Sequence, residues 1–281
     1  MATKQESLTE ATPGRVADMA PVVGIGGVLS SEGQWPFYAP LLYTPNSPLK
    51  SRERFIHILN GARSGDFAEI YGDAEERFLK IHDRLEQRVV VFGQSFGGLV
   101  TTKLGVDHPD KISAAICLAG AQEGVEKMTI AGRVLKHVVG NEAGAADLMR
   151  QSEIMCGHIG SIASRWSPHT SLHLISPTVD PLLPCPQGLG LALPEGQKVH
   201  KKFIAPLGVP RVILERFFGM PEDADPLYGI PVEHVGIGIS PTVRSYSRQV
   251  RRNALLSMPP PSVDVATPTP IADYDELPLA A

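Results

Sequence analysis

Hydrophobic residues in this chain come in short β-branched runs separated by amphipathic stretches. Pro21-Val22-Val23-Gly24-Ile25 reads as a strand running into Gly26-Gly27. Arg54–Leu59 reads as a second strand closed by Asn60-Gly61, Val89–Phe92 as a third, and Ser113–Leu118 as a fourth ended by Ala119-Gly120. Residues 73–87 put Phe78, Ile81 and Leu85 on one face with charges elsewhere, which predicts a helix. Gly98–Leu104 predicts another. The strand pattern resumes at 172–176, and 199–204 reads as the last strand. Apolar strands alternating with helices predict an α/β fold, with a mostly parallel central sheet flanked by helices. In such a sheet the chemistry sits at the carboxyl ends of the strands.

Residues 121–168 break the alternation. Met128, Ala131, Val134, Leu135 and Val138 share one helical face, and a second helix is expected around 145–155. This segment is read as a small helical cap inserted above the sheet. Beyond Leu183 the chain is rich in Pro and Gly. A helix from Pro241 to about Ser257 carries Arg244, Arg248, Arg251 and Arg252 at helical spacing. That pattern predicts a solvated basic face, or one that meets an acidic partner or a membrane surface. The expected organisation is a polar lead-in (1–20), one domain (21–257) and a tail (258–281). The tail has six Pro, four acidic residues and no Lys or Arg, and is expected to be disordered or loosely docked.

Composition narrows the class. A length of 281 residues suits one large domain, and 43% hydrophobic content is ordinary for a globular protein. The formal charge of -4 carries no nucleic-acid footprint. No Cys-x-x-Cys or His-Glu-x-x-His run suggests a metal, and no cofactor is expected. Cys117, Cys156 and Cys185 are too few for a disulfide framework, and Cys117 falls in an apolar strand as a small core residue. Met1–Ala20 lacks an apolar signal core and no run approaches a membrane span, so a cytoplasmic chain without stable membrane insertion is expected.

The candidate chemistry lies at Gly93-Gln94-Ser95-Phe96-Gly97, between the third strand and its helix. Strand, Gly-x-Ser-x-Gly, helix is the context of a nucleophile elbow, a turn so tight that Gly is needed two residues before and after the serine. A serine needs a base to take its proton and a carboxylate to orient that base, in the order Ser, acid, His for a fold of this type. Asp180, in the Pro-fixed loop after the 172–176 strand, is the expected acid; Glu123, Asp223 and Asp225 are the rivals. Downstream of Asp180 the histidines are His200, inside a strand, and His234, in a loop before the C-terminal helix. His234 is the expected base. The oxyanion donors are expected to be the amides of Phe96 and Val28. The Gly24–Gly27 turn could instead cradle a phosphate, but Leu29 stands where a dinucleotide fingerprint needs its last Gly.

These residues resemble the α/β-hydrolase superfamily, and within it the lipase- and esterase-like members. The likeness runs from about residue 20 to 255 and rests on Gly93–Gly98, Pro21 through Val28, Asp180 in Asp-Pro-Leu-Leu-Pro, His234 in His-Val-Gly, and the His108-Pro109-Asp110-Lys111 turn. The chain departs from the family in having Gly26 where a His is frequent, in a long stretch between Asp180 and His234 that suggests an insertion over 206–230, and in lacking the leading antiparallel hairpin. The resemblance implies an enzyme that cleaves a small-molecule ester or acyl substrate through an acyl-enzyme. Met128, Ile130 and Val134, with Phe217, Phe218 and Met220, are candidates for an acyl pocket. An acyltransferase, thioesterase or lyase on the same scaffold, or a non-catalytic binding protein, remains the alternative.

Overall fold

All the strands expected from the β-branched runs form, and they pair in parallel. The computed structural model describes residues 19–27, 35–44, 47–58, 66–120, 122–124, 152–177, 180, 189, 191–231 and 236–257. The elements, in chain order, are β1 (Val22–Ile25), α1 (Trp35–Leu42), a 3-10 turn (Ser51–Arg54), β2 (Phe55–Ile56), α2 (Phe67–Leu85), β3 (Val89–Gln94), α3 (Phe96–Asp107), β4 (Ile112–Leu118) and α4 (Glu153–Arg165). They continue with β5 (Ser171–Ser176), β6 (Val199–Pro206), α5 (Arg211–Phe218), β7 (Asp225–Gly229), a 3-10 turn (Gly236–Ile239) and α6 (Pro241–Ser257). The sheet order is β2-β1-β3-β4-β5-β6-β7.

The core follows from alternation along the strands. Val89 and Val91 pack with α2 and α3 on one face, where Phe67, Ile70, Phe78, Leu99 and Leu104 are buried. Val90 and Phe92 point to the other face, against Tyr38 and Leu42 of α1 and Val243 and Val250 of α6. Farther along the first face, Ile162 of α4 and Leu214 of α5 close over Cys117, Leu174 and Phe203. Both faces are covered, which is why the strands read as continuous apolar runs.

Several boundaries differ from the sequence expectation, each for a local reason. The second strand is only Phe55–Ile56, because Arg54 closes a 3-10 turn. The helix expected at 73 starts at Phe67, since the Asp66 side chain caps it by accepting from Glu69 N at 2.9 Å. The strand at 199–204 is not the last: β6 runs on to Pro206 and β7 follows. The 206–230 stretch is therefore no insertion but a regular helix–strand unit that adds the edge strand. A helix at Glu153–Arg165 packs beside α3, with Met155 and Ile162 buried. The rest of the expected cap, the lead-in to residue 18 and the tail lie outside the described residues.

The basic face of α6 is also different from expectation. Arg248 and Arg252 are exposed, but Arg251 is buried. Its Nε donates to Ala20 O at 2.9 Å, Nη1 to Leu41 O and Tyr43 O at 3.2 and 2.8 Å, and Nη2 to Thr44 Oγ1 at 2.6 Å. Burial holds its pKa down to about 9. Arg251→Ala should cost about 2–4 kcal/mol, because three carbonyls at the end of α1 and the start of β1 lose their donor together. Urea unfolding measures this.

Two histidines are buried as neutral rings. Burial pushes His158 down to about 4 and His173 down to about 3, from the ordinary 6.5. As pH falls below 6.5 the unfolded chain takes up protons that the folded chain refuses. Stability should therefore drop from pH 6.5 toward pH 4, by up to about 1.4 kcal/mol per pH unit for each histidine. Urea midpoints at pH 6.5 and 5 check this, and a double His158→Gln, His173→Gln variant should show a shallower slope.

Candidate active site

Backbone geometry sets Ser95 apart. It has φ 54° and ψ -122°, a region that a residue with a side chain occupies only under constraint. Two glycines supply the constraint. A Cβ on Gly93 would overlap the Gly97 carbonyl, and one on Gly97 would lie 2.5 Å from the carbonyl oxygens of Ile25 and Gly26. The elbow is thus wedged beneath the end of β1. Ser95 N donates to Leu118 O at 2.9 Å, and Ser95 O accepts from Gly98 N at 2.9 Å. Phe96, by contrast, is the first residue of α3, so its amide has no acceptor within the helix and lies at the positive end of the dipole.

The position of the elbow in the sheet matters as much as its shape. From β1 the chain goes to the edge strand β2, then returns past β1 to β3. Connections leave β1 and β3 in opposite directions, which opens a crevice at their carboxyl ends, the usual ligand site of an open parallel sheet. Gly27 and Ser95 meet in this crevice. A Cβ on Gly27 would come 3.1 Å from Ser95 Cβ and 3.8 Å from its Oγ.

Two further residues support the elbow and have no role in the expected triad. Gln94 is buried, and its Oε1 accepts from Tyr38 OH. Tyr38 is stacked on Phe55 at 4.8 Å, and burial pushes its phenol up to about 12, so it stays a donor. A Cβ on Gly238 would lie 3.0 Å from the Tyr38 ring and 3.9 Å from Gln94 Oε1. The 3-10 turn before α6 therefore sits over the residue preceding Ser95. A polar Gln ending an apolar strand was the available signal, since a buried amide needs a partner.

The topology sorts the other candidates. Asp180 follows β5, and Glu123 follows β4; both are half-buried and belong to the carboxyl end, the side of Ser95. Asp225 opens β7 and Asp223 precedes it, so both lie at the amino end. There Lys202 and Lys201 pair with them at 2.6 Å each. Asp225 is thus no loop residue, and neither aspartate can reach the serine. His200, second in β6, is at the same wrong end and stacks on His173 at 4.5 Å. Phe217 is exposed, Met220 is a core residue, and with Phe218 they close α5 on its way back to the amino end; these three cannot line an acyl pocket. Val28, Met128, Ile130, Val134 and His234 lie outside the described residues. Among the described residues no group of His, Cys, Asp or Glu could hold a metal ion, and no helix is long and apolar enough to cross a membrane.

Comparison with known proteins bears on the fold. The profile of the serine aminopeptidase S33 family matches residues 60–157. The fold is similar to that of a Bacillus licheniformis lipase in its mature form, with TM-score 0.50 and 12% identity over 83% of this chain and 93% of that one. A Paleococcus ferrophilus monoacylglycerol lipase is similar at TM-score 0.47 and 15% identity, over 86% and 98% of the two chains. No curated protein sequence matches. The sheet order and the strained serine at its switch point define an α/β-hydrolase fold. The profile match, over about a third of the chain, and the lipase structure give a likeness at the level of the fold.

The strain at the elbow makes opposite predictions for two neighbours. Ser95→Gly should stabilise the fold by about 1 kcal/mol, because Gly adopts positive φ freely. Gly97→Ala should cost more than about 3 kcal/mol, because its methyl group meets β1 backbone that cannot give way. Thermal unfolding of both variants checks the pair.

Proposed function

We propose that the chain is a serine hydrolase that cleaves carboxylic esters by way of an acyl-enzyme. The observation that carries this reading is the Ser95 backbone, held in a strained turn by Gly93 and Gly97 where the sheet switches direction. A protein that only bound a ligand would gain nothing from that strain.

In the proposed reaction Ser95 Oγ attacks the ester carbonyl while His234 takes its proton. The Phe96 amide, with that of Val28, receives the oxyanion. His234 then protonates the leaving alcohol, and water, deprotonated by His234, releases the acid. No cofactor enters. The assignment of His234 is supported by connectivity. The nine-residue step from Gly229 to Gly238 starts at the end of β7 and finishes against Tyr38 and Gln94. Those ends lie within reach of each other, since a Cβ on Gly229 would meet the side chain of Thr242, four residues beyond Gly238. Nine residues reach up to about 30 Å, so a histidine in mid-span has slack to turn toward Ser95.

Asp180 is the proposed carboxylate that orients His234 and stabilises its charged form. It follows β5, two strands and about 10 Å from β3 across the sheet. Glu123 is the surviving rival. Met128, Ile130 and Val134, which come after β4 in the sequence, are proposed for the acyl pocket.

A fluorophosphonate probe and p-nitrophenyl esters of increasing chain length test the reading. The expected result is stoichiometric labelling at Ser95. Ser95→Ala and His234→Ala should each lower kcat/KM by at least about 10⁴-fold, and Asp180→Asn by about 10²- to 10⁴-fold. Absence of labelling and turnover in the native protein overturns the proposal. A larger loss from Glu123→Gln than from Asp180→Asn moves the acid to β4.

A further inference from the structure

The amino ends of β4, β5 and β6 open together on the side of the sheet away from Ser95, around a cleft of about 920 Å³. β3 separates the two places: Arg88 precedes it and lines the cleft, whereas Ser95 follows it, with the six residues of the strand and about 20 Å between them. The cleft therefore takes no part in the proposed ester chemistry. Its volume falls within the range of small-molecule sites.

The charge on its walls is one-sided. Its cations are Arg88 and Lys198, beside the rings of His169 and His200, against one carboxylate, Asp110, which is held by Lys111 at 3.1 Å. The wall is also fixed in place. The His200 ring lies flat on His173 at 4.5 Å and 12°. His173 is held in turn by Tyr246 OH at 2.8 Å and Ser171 Oγ at 3.0 Å. Arg88 Nη2 donates to the carbonyls of Pro109, Ile112 and His169 at 3.0, 2.6 and 2.9 Å, which spreads a full charge across the floor. Its Nε is buried without a partner, a donor left over. Gln197 gives its Nε2 to Trp166 O at 3.0 Å, which orients its amide at the rim.

We propose that this cleft binds a small phosphate monoester, with the dianion held between Lys198 Nζ, the His200 ring and the field of Arg88. A dianion suits this set because charge-assisted hydrogen bonds from several cationic groups need an acceptor with more than one oxygen. His200 strengthens the match. Desolvation, Lys198 and Lys202 together keep it below its ordinary pKa, while Asp225, tied to Lys202, opposes them weakly. A bound anion supplies the missing counter-charge and lets the ring become a second donor. Ser257, the last residue of α6, also lines the cleft, so the acidic sequence that follows it is attached at the cleft's edge. The tail is the competing occupant.

The full-length protein titrated with inorganic phosphate and with glycerol phosphate, against sodium chloride of equal ionic strength, tests this. The expected result is a saturable shift of the His200 ring resonances and a rise in Tm with both phosphates. Lys198→Ala, an exposed position outside the proposed triad, should weaken the apparent affinity about tenfold. His200→Gln should weaken it as well, read by the Tm shift. The proposal is overturned if phosphate does no more than chloride, or if both variants bind as the native protein does. It is equally overturned if phosphate binds only after Asp264, Asp273, Asp275 and Glu276 are changed to amides, since the tail would then be the natural occupant.

Discussion

The contact on which this structure turns is the approach of β1 to the elbow. Gly97 lies so near the carbonyls of Ile25 and Gly26 that no side chain fits between them. This contact sets β1 beside β3 and seats the N-terminus of α3 beneath the loop that leaves β1. It also holds the serine between them at a φ it would not adopt alone. The cost of that conformation, on the order of 1–3 kcal/mol, is offset by strands on both sides of β3 that bury every one of its residues. An elbow on an edge strand would have only one neighbour to hold it.

The other face depends on buried charge. Arg54 and Arg251 are both inaccessible to solvent and share the hydroxyl of Thr44. Their hydrogen bonds among the described residues go to hydroxyl and carbonyl oxygens, and Glu53 acts on Arg54 through its charge alone. Leu41 and Tyr43 stand at the C-terminal end of α1, where the helix dipole is negative and carbonyls lack acceptor partners, so a guanidinium there is less costly than its burial suggests. The arrangement ties α6 to α1 and β1. α1 carries Tyr38, which holds Gln94 beside the serine, and α6 follows the turn that packs on the same tyrosine. The two arginines thus link the segments on either side of the crevice, although neither reaches it.

What could be read from the chain beforehand divides along physical lines. Strands β1, β3 and β4 were legible because both of their faces are buried and nearly all their residues are apolar, and β5 because Leu172, Leu174 and Ile175 stand together around His173. The elbow was legible because its requirement is local: three residues and the steric limits of a turn. β7 was not. Asp225-Pro226-Leu227-Tyr228-Gly229 has the composition of a loop, and Pro is tolerated there because an edge strand leaves one row of amides unpaired. Arg251 was misread because helical spacing shows which residues share a face but not what that face meets. The Tyr38–Gln94 pair joins positions 56 residues apart, and only the fold brings them together. Of the candidate site, the choice of Ser95 rested on its own neighbours, whereas the choice of acid and base rested on chain order.

Chain order becomes a stronger argument once the sheet is known to be parallel throughout. With every described strand running the same way, each connecting residue belongs to one end of the sheet according to whether it follows a strand or precedes one. Ser95, Asp180 and Glu123 follow strands; His200, Asp223 and Asp225 do not reach that end. An acid or base for Ser95 has to come from the first group, whatever its local sequence resembles. The same rule accounts for the cationic cleft. Groups that begin strands β4, β5 and β6 gather at the end remote from Ser95, so charge can accumulate there without disturbing the serine proposed as nucleophile. A parallel sheet offers two chemically independent ends, and this chain has a strained serine at one and Arg88 and Lys198 at the other.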